Sequence, residues 1–149
     1  MKLYLHILII LNFLFLNLIF SQKETTKFYI TELRGDISLE MEINNLKSNK
    51  GPIYIRILDE NENPVIVGTS QVVNYSSRIS FDSISSGKYA IQFFHDENEN
   101  QKMDFNLIGI PKEKFGSSND VKPILGPPKF EKMLFEIYED KKIVMKPVN

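Results

Sequence analysis

The chain has no cysteine, which excludes disulfide staples, a thiol nucleophile and a lipid-modified N-terminal Cys. Histidine is nearly absent as well. Of 2 in 149 residues, His6 lies in an apolar N-terminal run, so a mature chain keeps only His95, too few nitrogen ligands for zinc. An excess of one charge is also missing. Without residues 1–21 the chain loses Lys2 and keeps 17 Lys plus Arg against 19 Asp plus Glu. That balance creates no long-range field toward nucleic acid or an anionic membrane. After residue 21 there is no 3.6-residue period of helical length and no long internal repeat.

The N-terminus carries one cation, Lys2, then an apolar stretch from Leu3 to Phe20, then an abrupt polar edge at Ser21-Gln22-Lys23-Glu24. This is the pattern of a secretory signal peptide, with Ser21 as the small residue at the junction. His6, Asn12 and Asn17 interrupt the run and no Lys/Arg cluster follows it, so we expect no stable membrane span after cleavage; an uncleaved anchor is the alternative. The division expected is a signal peptide over 1–21, a leader or short first strand over 22–35, and one β-sandwich domain over 36–149. The 128 residues after the signal suffice for a core without disulfides. Localisation is then exported: periplasmic, at the cell surface, or secreted.

Asp36 to Ile43 alternates strictly, with Ile37, Leu39, Met41 and Ile43 on one face, as a half-buried strand does. Ile53 to Leu58, Val65 to Val73 with a break at Gly68, Arg78 to Phe81, Tyr89 to Phe94, Met133 to Ile137 and Ile143 to Lys146 supply further strands. Gly51-Pro52, Asp59 to Pro64 and Gly87 mark turns, and Glu139 to Lys142 reads as a charged hairpin tip. Tyr89, two residues after Gly87, is placed to return its hydroxyl to nearby backbone, as corner tyrosines do. The fold class expected is all-β: an antiparallel Ig-like or transthyretin-like sandwich of about seven strands with one long ordered loop.

Chemistry is concentrated in His95 to Asn119. Asp96, Asn98, Asn100 and Asp104 stand at loop positions 1, 3, 5 and 9, and Lys102 at position 7 offers its backbone carbonyl. Oxygen donors at alternate positions curl around one calcium ion in EF-hand-type loops. Gln101 occupies position 6, where such loops have glycine, and Leu107 occupies position 12, where they have a bidentate carboxylate; Asn106 or Glu113 is left to complete the shell. Two carboxylates and several amides imply an affinity of roughly 10⁻⁴ to 10⁻³ M. The competing reading is an Asx-rich turn whose side chains bond their own backbone. His95 beside Asp96 or Asp104 admits a hydrolase-type reading, although strand neighbours face opposite ways. Ser117 and Ser118 lack the context of a nucleophile elbow. Phe105, Leu107, Ile108, Ile110, Pro111 and Phe115 are expected to fold the long loop onto the sandwich edge as a small core; the alternative is an exposed apolar patch for a ligand.

The runs Ser86-Gly87-Lys88-Tyr89-Ala90, His95-Asp96-Glu97-Asn98-Glu99-Asn100, Met103-Asp104-Phe105-Asn106, Ile108-Gly109-Ile110-Pro111-Lys112-Glu113, Phe115-Gly116, Ser118-Asn119 and Pro127-Pro128-Lys129-Phe130 resemble domain of unknown function family 2141 of exported bacterial proteins. The resemblance spans residues 36 to 146; it implies an exported domain and carries no established activity. That family pattern has a glycine where Gln101 stands and an aromatic near Ser117. Asp59 to Pro64 with Gly87 to Tyr89 is also similar to transthyretin-like and collagen-adhesin B-type domains, which bears on fold only. The function expected is a non-enzymatic envelope or secreted binding module with a calcium-binding Asp/Asn loop and a protein or glycan ligand. A hydrolase and a purely structural accessory domain are the alternatives.

Overall fold

The computed structural model describes residues 27–30, 34–123 and 128–148; the signal-peptide reading of residues 1–21 lies outside them. Nine strands run in chain order: β1 (Lys27–Ile30), β2 (Ile37–Ile43), β3 (Ile53–Asp59), β4 (Pro64–Ser70), β5 (Ser77–Ile84), β6 (Gly87–His95), β7 (Lys114–Ser117), β8 (Phe135–Ile137) and β9 (Lys141–Met145). Helical structure among the described residues amounts to a 3₁₀ turn at Ser118–Asp120 and one α-helical turn, α1, at Phe130–Met133. No helix among them is long and apolar enough to cross a membrane.

The strands form two sheets, one of six in the order β1-β4-β3-β6-β7 with β8 also on β6, and one of three in the order β5-β2-β9. Alternation builds the core. Ile53, Ile55 and Ile57 on β3 and Ile91 and Phe93 on β6 face Leu39, Met41 and Ile43 on β2 and Ile79 and Phe81 on β5, all buried. Each such apolar side chain removed from water contributes about 1.5–3 kcal/mol. At the edge, Phe28 of β1 meets Phe81 of β5 edge-to-face with centroids 5.0 Å apart, so the strand in the predicted leader joins the sandwich. Tyr89 forms the expected corner, donating its hydroxyl hydrogen to the Ser85 carbonyl at 2.9 Å.

Three expectations change. The described residues hold nine strands where about seven are expected, because the two edges of the large sheet carry short strands, β1 and β7, whose patterns are too brief to read. Gly68 lies within a continuous β4 instead of breaking it. The segment 139–142 is not a hairpin tip: β8 belongs to the large sheet and β9 to the small one, where β9 runs parallel to β2 with Met41 opposite Ile143. Asp140 fixes this crossing by accepting the Ser38 N–H at 2.8 Å.

β6 has a divided edge. β7 pairs with Gln92–His95 and β8 with Gly87–Tyr89. The Ile91 N–H in between is satisfied by the Ser118 hydroxyl at 3.0 Å, which itself donates to the Met133 carbonyl at 2.5 Å. Ser118, buried and tied to strand and α1, is a structural bridge. Replacing it by alanine orphans a buried N–H and a buried carbonyl. Ser118→Ala is therefore expected to lower the unfolding free energy by about 1–3 kcal/mol in a urea titration.

Candidate functional site

β6 delivers its last side chain, His95, to the inner face and passes directly into the Asp/Asn loop. His95 is fully buried and its Nε2–H donates to the Lys50 carbonyl at 2.7 Å; Nδ1 faces Glu97 Oε1 at 3.8 Å. A substrate has no access to this ring, and its hydrogen bond is to backbone rather than to Asp96 or Asp104, so the geometry that motivated the hydrolase reading is not formed. The Asp96 N–H bonds the Pro52 carbonyl at 3.0 Å. The Lys50–Pro52 segment thus clamps the strand end. Gly51, with φ +70°, is pressed so closely on it that an added Cβ would lie 1.8 Å from the Asp96 carbonyl oxygen. Sequence reasoning registered Gly51-Pro52 only as a turn; its contact with the loop is long-range and leaves no local signature.

Asp96 is also fully buried, and its carboxylate organises the loop. Oδ1 accepts the Asn100 N–H at 3.1 Å and Oδ2 the Gln101 N–H at 2.7 Å. Gln101 holds φ 66°, so the position where calcium loops carry glycine has the glycine-like conformation without the glycine. Asn98 Oδ1 accepts the Asn100 N–H at 3.2 Å, and Asn100 Oδ1 accepts the Lys102 N–H at 3.0 Å. These are Asx turns. The two amide NH₂ groups converge on one oxygen, Asp104 Oδ2, at 2.7 and 2.8 Å. Those donors hold the Asp104 carboxyl below its usual range, Asn98 first, with Asn100, Lys102 and Lys112 assisting.

Of the two candidates to complete the shell, Asn106 does not: its side-chain oxygen accepts the Ile108 and Ile110 N–H groups at 3.0 and 2.9 Å. Glu113, immediately before β7, does reach the loop. It is buried, its Oε2 accepts the Asp104 N–H at 3.0 Å, and the carboxylates of Asp96 and Asp104 face it. Burial raises its pKa first; the charges of Asp96 and Asp104 and a hydrogen bond with the Asp96 carboxyl add to the rise, against the Asp104 N–H. Of the predicted ligands, then, Asp96, Asn98, Asn100 and Asp104 are brought together, with the Lys102 N–H bonded back to Asn100. Among the described residues no three or more His, Cys, Asp or Glu side chains are grouped to hold a metal ion.

The chain matches a family described as an uncharacterized protein conserved in bacteria, DUF2141, over residues 41–145. It belongs to this family. The DUF2141 match begins within β2, ends at the last residue of β9, and so takes in the whole loop and both sheets except β1 and the start of β2. Neither the curated proteins nor the solved structures provide a match to the chain.

The small apolar core expected within the loop is not formed. Phe105, Leu107, Ile108 and Ile110 are exposed, and Pro111 and, on β7, Phe115 are half-buried. The reason is local: Phe105 bridges to Pro111, and Asn106 closes a tight turn by itself, so the segment has no need of the sandwich edge to stay ordered.

Two outcomes follow from this geometry. Glu113 has a folded-state pKa above its unfolded one, so its contribution to stability is full below the ordinary value of 4.5 and is lost as pH rises through the raised value. Glu113→Gln, which keeps an acceptor for the Asp104 N–H, should be more stable than the parent at pH 7, and the difference should shrink toward zero as thermal melts are taken down below pH 4.5. Gly51→Ala should cost about 2 kcal/mol or more in a denaturant titration, since positive φ and a backbone clash act together.

Proposed function

We propose that this DUF2141 chain is an exported, non-enzymatic binding module of the bacterial envelope or exterior, and that its Asp96–Asp104 loop takes up calcium. The observation that carries the reading is the convergence of Asp96, Asn98, Asn100 and Asp104 with Glu113 at one strand end, all of them hard oxygen donors. In the geometry described, two amide groups lie against the Asp104 carboxylate where a cation would lie, and Glu113 is held in an environment unfavourable to its charge. Turning the Asn98 and Asn100 amides about their terminal bonds would present two oxygens on the Asp104 side, and the Lys102 carbonyl would stand at position 7. Calcium would then offset the charges of Asp96 and Asp104 that Glu113 feels. The positive φ of Gln101 supports the loop conformation this demands. Export is supported by the apolar N-terminal run. Ligand capture, of protein or glycan, remains the role such a rigid loop would serve.

A thermal melt in EDTA, in millimolar calcium and in millimolar magnesium tests the metal. Calcium at about 100 times its dissociation constant stabilises by roughly 2.7 kcal/mol, a shift of several degrees. Asp104→Asn should abolish that shift. Glu113→Gln should melt higher than the parent in EDTA yet gain less from calcium, a reversal that a merely structural turn would not produce. No calcium-specific shift in the parent would leave the loop as an Asx-rich turn and end the metal reading.

A further inference from the structure

The feature that the calcium reading leaves unused is the tip between Asp104 and Lys112. Leu107 is 106% exposed, Ile108 79%, Phe105 55% and Ile110 52%, and no charged residue lies between Asp104 and Lys112. Four large apolar side chains on one short turn would be costly in water alone. We propose that this tip is a lipid-surface anchor that seats itself in the interfacial layer of a phospholipid bilayer.

The backbone of the tip points to lipid rather than to a protein groove. The Asn106 N–H donates to the Ile110 carbonyl at 2.9 Å and the Gly109 N–H to the Asn106 carbonyl at 3.0 Å. The Ile108 and Ile110 N–H groups both donate to Asn106 Oδ1, and Pro111 has no N–H to satisfy. Below them the Lys112 N–H closes on the Asp104 carbonyl at 2.9 Å. Four of the N–H groups between Asp104 and Lys112, those of Asn106, Ile108, Gly109 and Ile110, are thus turned inward, and the outer surface is mostly side-chain carbon. Exposed backbone donors are tolerated in water and are matched by partner acceptors in a protein interface, but in hydrocarbon they must be satisfied within the segment itself. Gly109, at φ +79° with open space around its α-carbon, lets the turn close this tightly.

The charges at the base fit the same surface. Lys102 and Lys112 are exposed on the two legs of the tip, level with Asp104, whose carboxylate feels both. With the apolar side chains inserted by the roughly 5–10 Å typical of interfacial anchoring, long lysine stems reach the phosphate layer. A net charge of −1 at pH 7 supplies no long-range attraction, so attachment by this tip is apolar in origin and survives salt. The anchor does not depend on the calcium reading, which the melts above decide separately.

Because the chain has no cysteine, Leu107→Cys in the full-length protein creates a single labelling site for a polarity-sensitive bimane. Glu60→Cys, in the exposed β3–β4 turn, is the companion. With vesicles of phosphatidylethanolamine and phosphatidylglycerol, in EDTA and in calcium, the label at 107 should shift to the blue and be quenched by nitroxide-bearing acyl chains. The label at 60 should do neither. The shift should persist in about 0.5 M salt, and Phe105→Ser with Ile108→Ser should weaken it by about tenfold or more. An unchanged label at 107 under both conditions overturns the anchor. So do equal responses at 107 and 60, which would mean that the N-terminal apolar run holds the chain at the surface without the tip. A blue shift that grows with protein concentration in the absence of vesicles also overturns it, and makes a second copy of the chain the occupant.

Discussion

A carboxylate taken fully out of water must find donors or a counter-charge, and that requirement at Asp96 governs the functional end of this molecule. Its two oxygens are met by the N–H groups of Asn100 and Gln101, and its own N–H by Pro52. Those bonds fix the direction in which the chain leaves β6. They also oblige Gln101 to accept a left-handed conformation and bring the Asn98 and Asn100 side chains round to Asp104. The core therefore sets the turn from Asp96 to Asp104 through one residue.

The chain contains a second turn on the same plan, and comparison shows what distinguishes a solvated corner from a candidate site. Asp59 accepts the Asn61 and Asn63 N–H groups at 2.9 and 2.8 Å and the Asn63 amide at 3.0 Å, while Glu62 takes positive φ at 65°. The Asn61, Glu62 and Asn63 side chains of that turn are exposed, and the hydrogen bonds from Asn63 lead the influences that draw the Asp59 pKa down. At Asp96 the same local chemistry is buried and joined by Glu113, which immediately precedes β7. Proximity of carboxylates, which costs free energy in the absence of a cation, is the difference between them.

Local pattern made part of this legible. The alternation of Ile37 to Ile43 marks β2, the spacing of Gly87 and Tyr89 marks the corner, and the offsets of Asn98, Asn100 and Asp104 mark side chains that meet. What stayed hidden is non-local or self-contained. Nothing near Gly51 announces that it abuts Asp96. The approach of Glu113 depends on the register of β7 against β6, which its own four residues cannot specify. The outward tip leaves no signal because apolar residues in a long loop suggest packing on the core, whereas Asn106 and the Phe105–Pro111 bridge close the turn without it. The parallel β9 is hidden because Glu139 to Lys142 has the composition of a hairpin, and the contact of Asp140 with Ser38 turns it elsewhere.

That crossing bears on how the molecule comes to exist. β2 is the middle strand of the small sheet, and one of its neighbours, β9, lies 102 positions away along the chain, the separation between Lys142 and its hydrogen-bonding partner Glu40. The hairpins of the large sheet join neighbours and close cheaply; this pairing carries the loop entropy of nearly the whole domain before any contact rewards it. Among the described strand pairs, that of β2 with β9 therefore carries the largest loop-closure cost. Until it forms, Leu39, Met41 and Ile43 remain beside an unmade edge, a hydrophobic strand with free backbone donors, which is the condition in which nascent β-chains associate wrongly. Glu40 and Glu42, which alternate with those residues and pair with Lys142 in the finished fold, put charge along that edge throughout the wait.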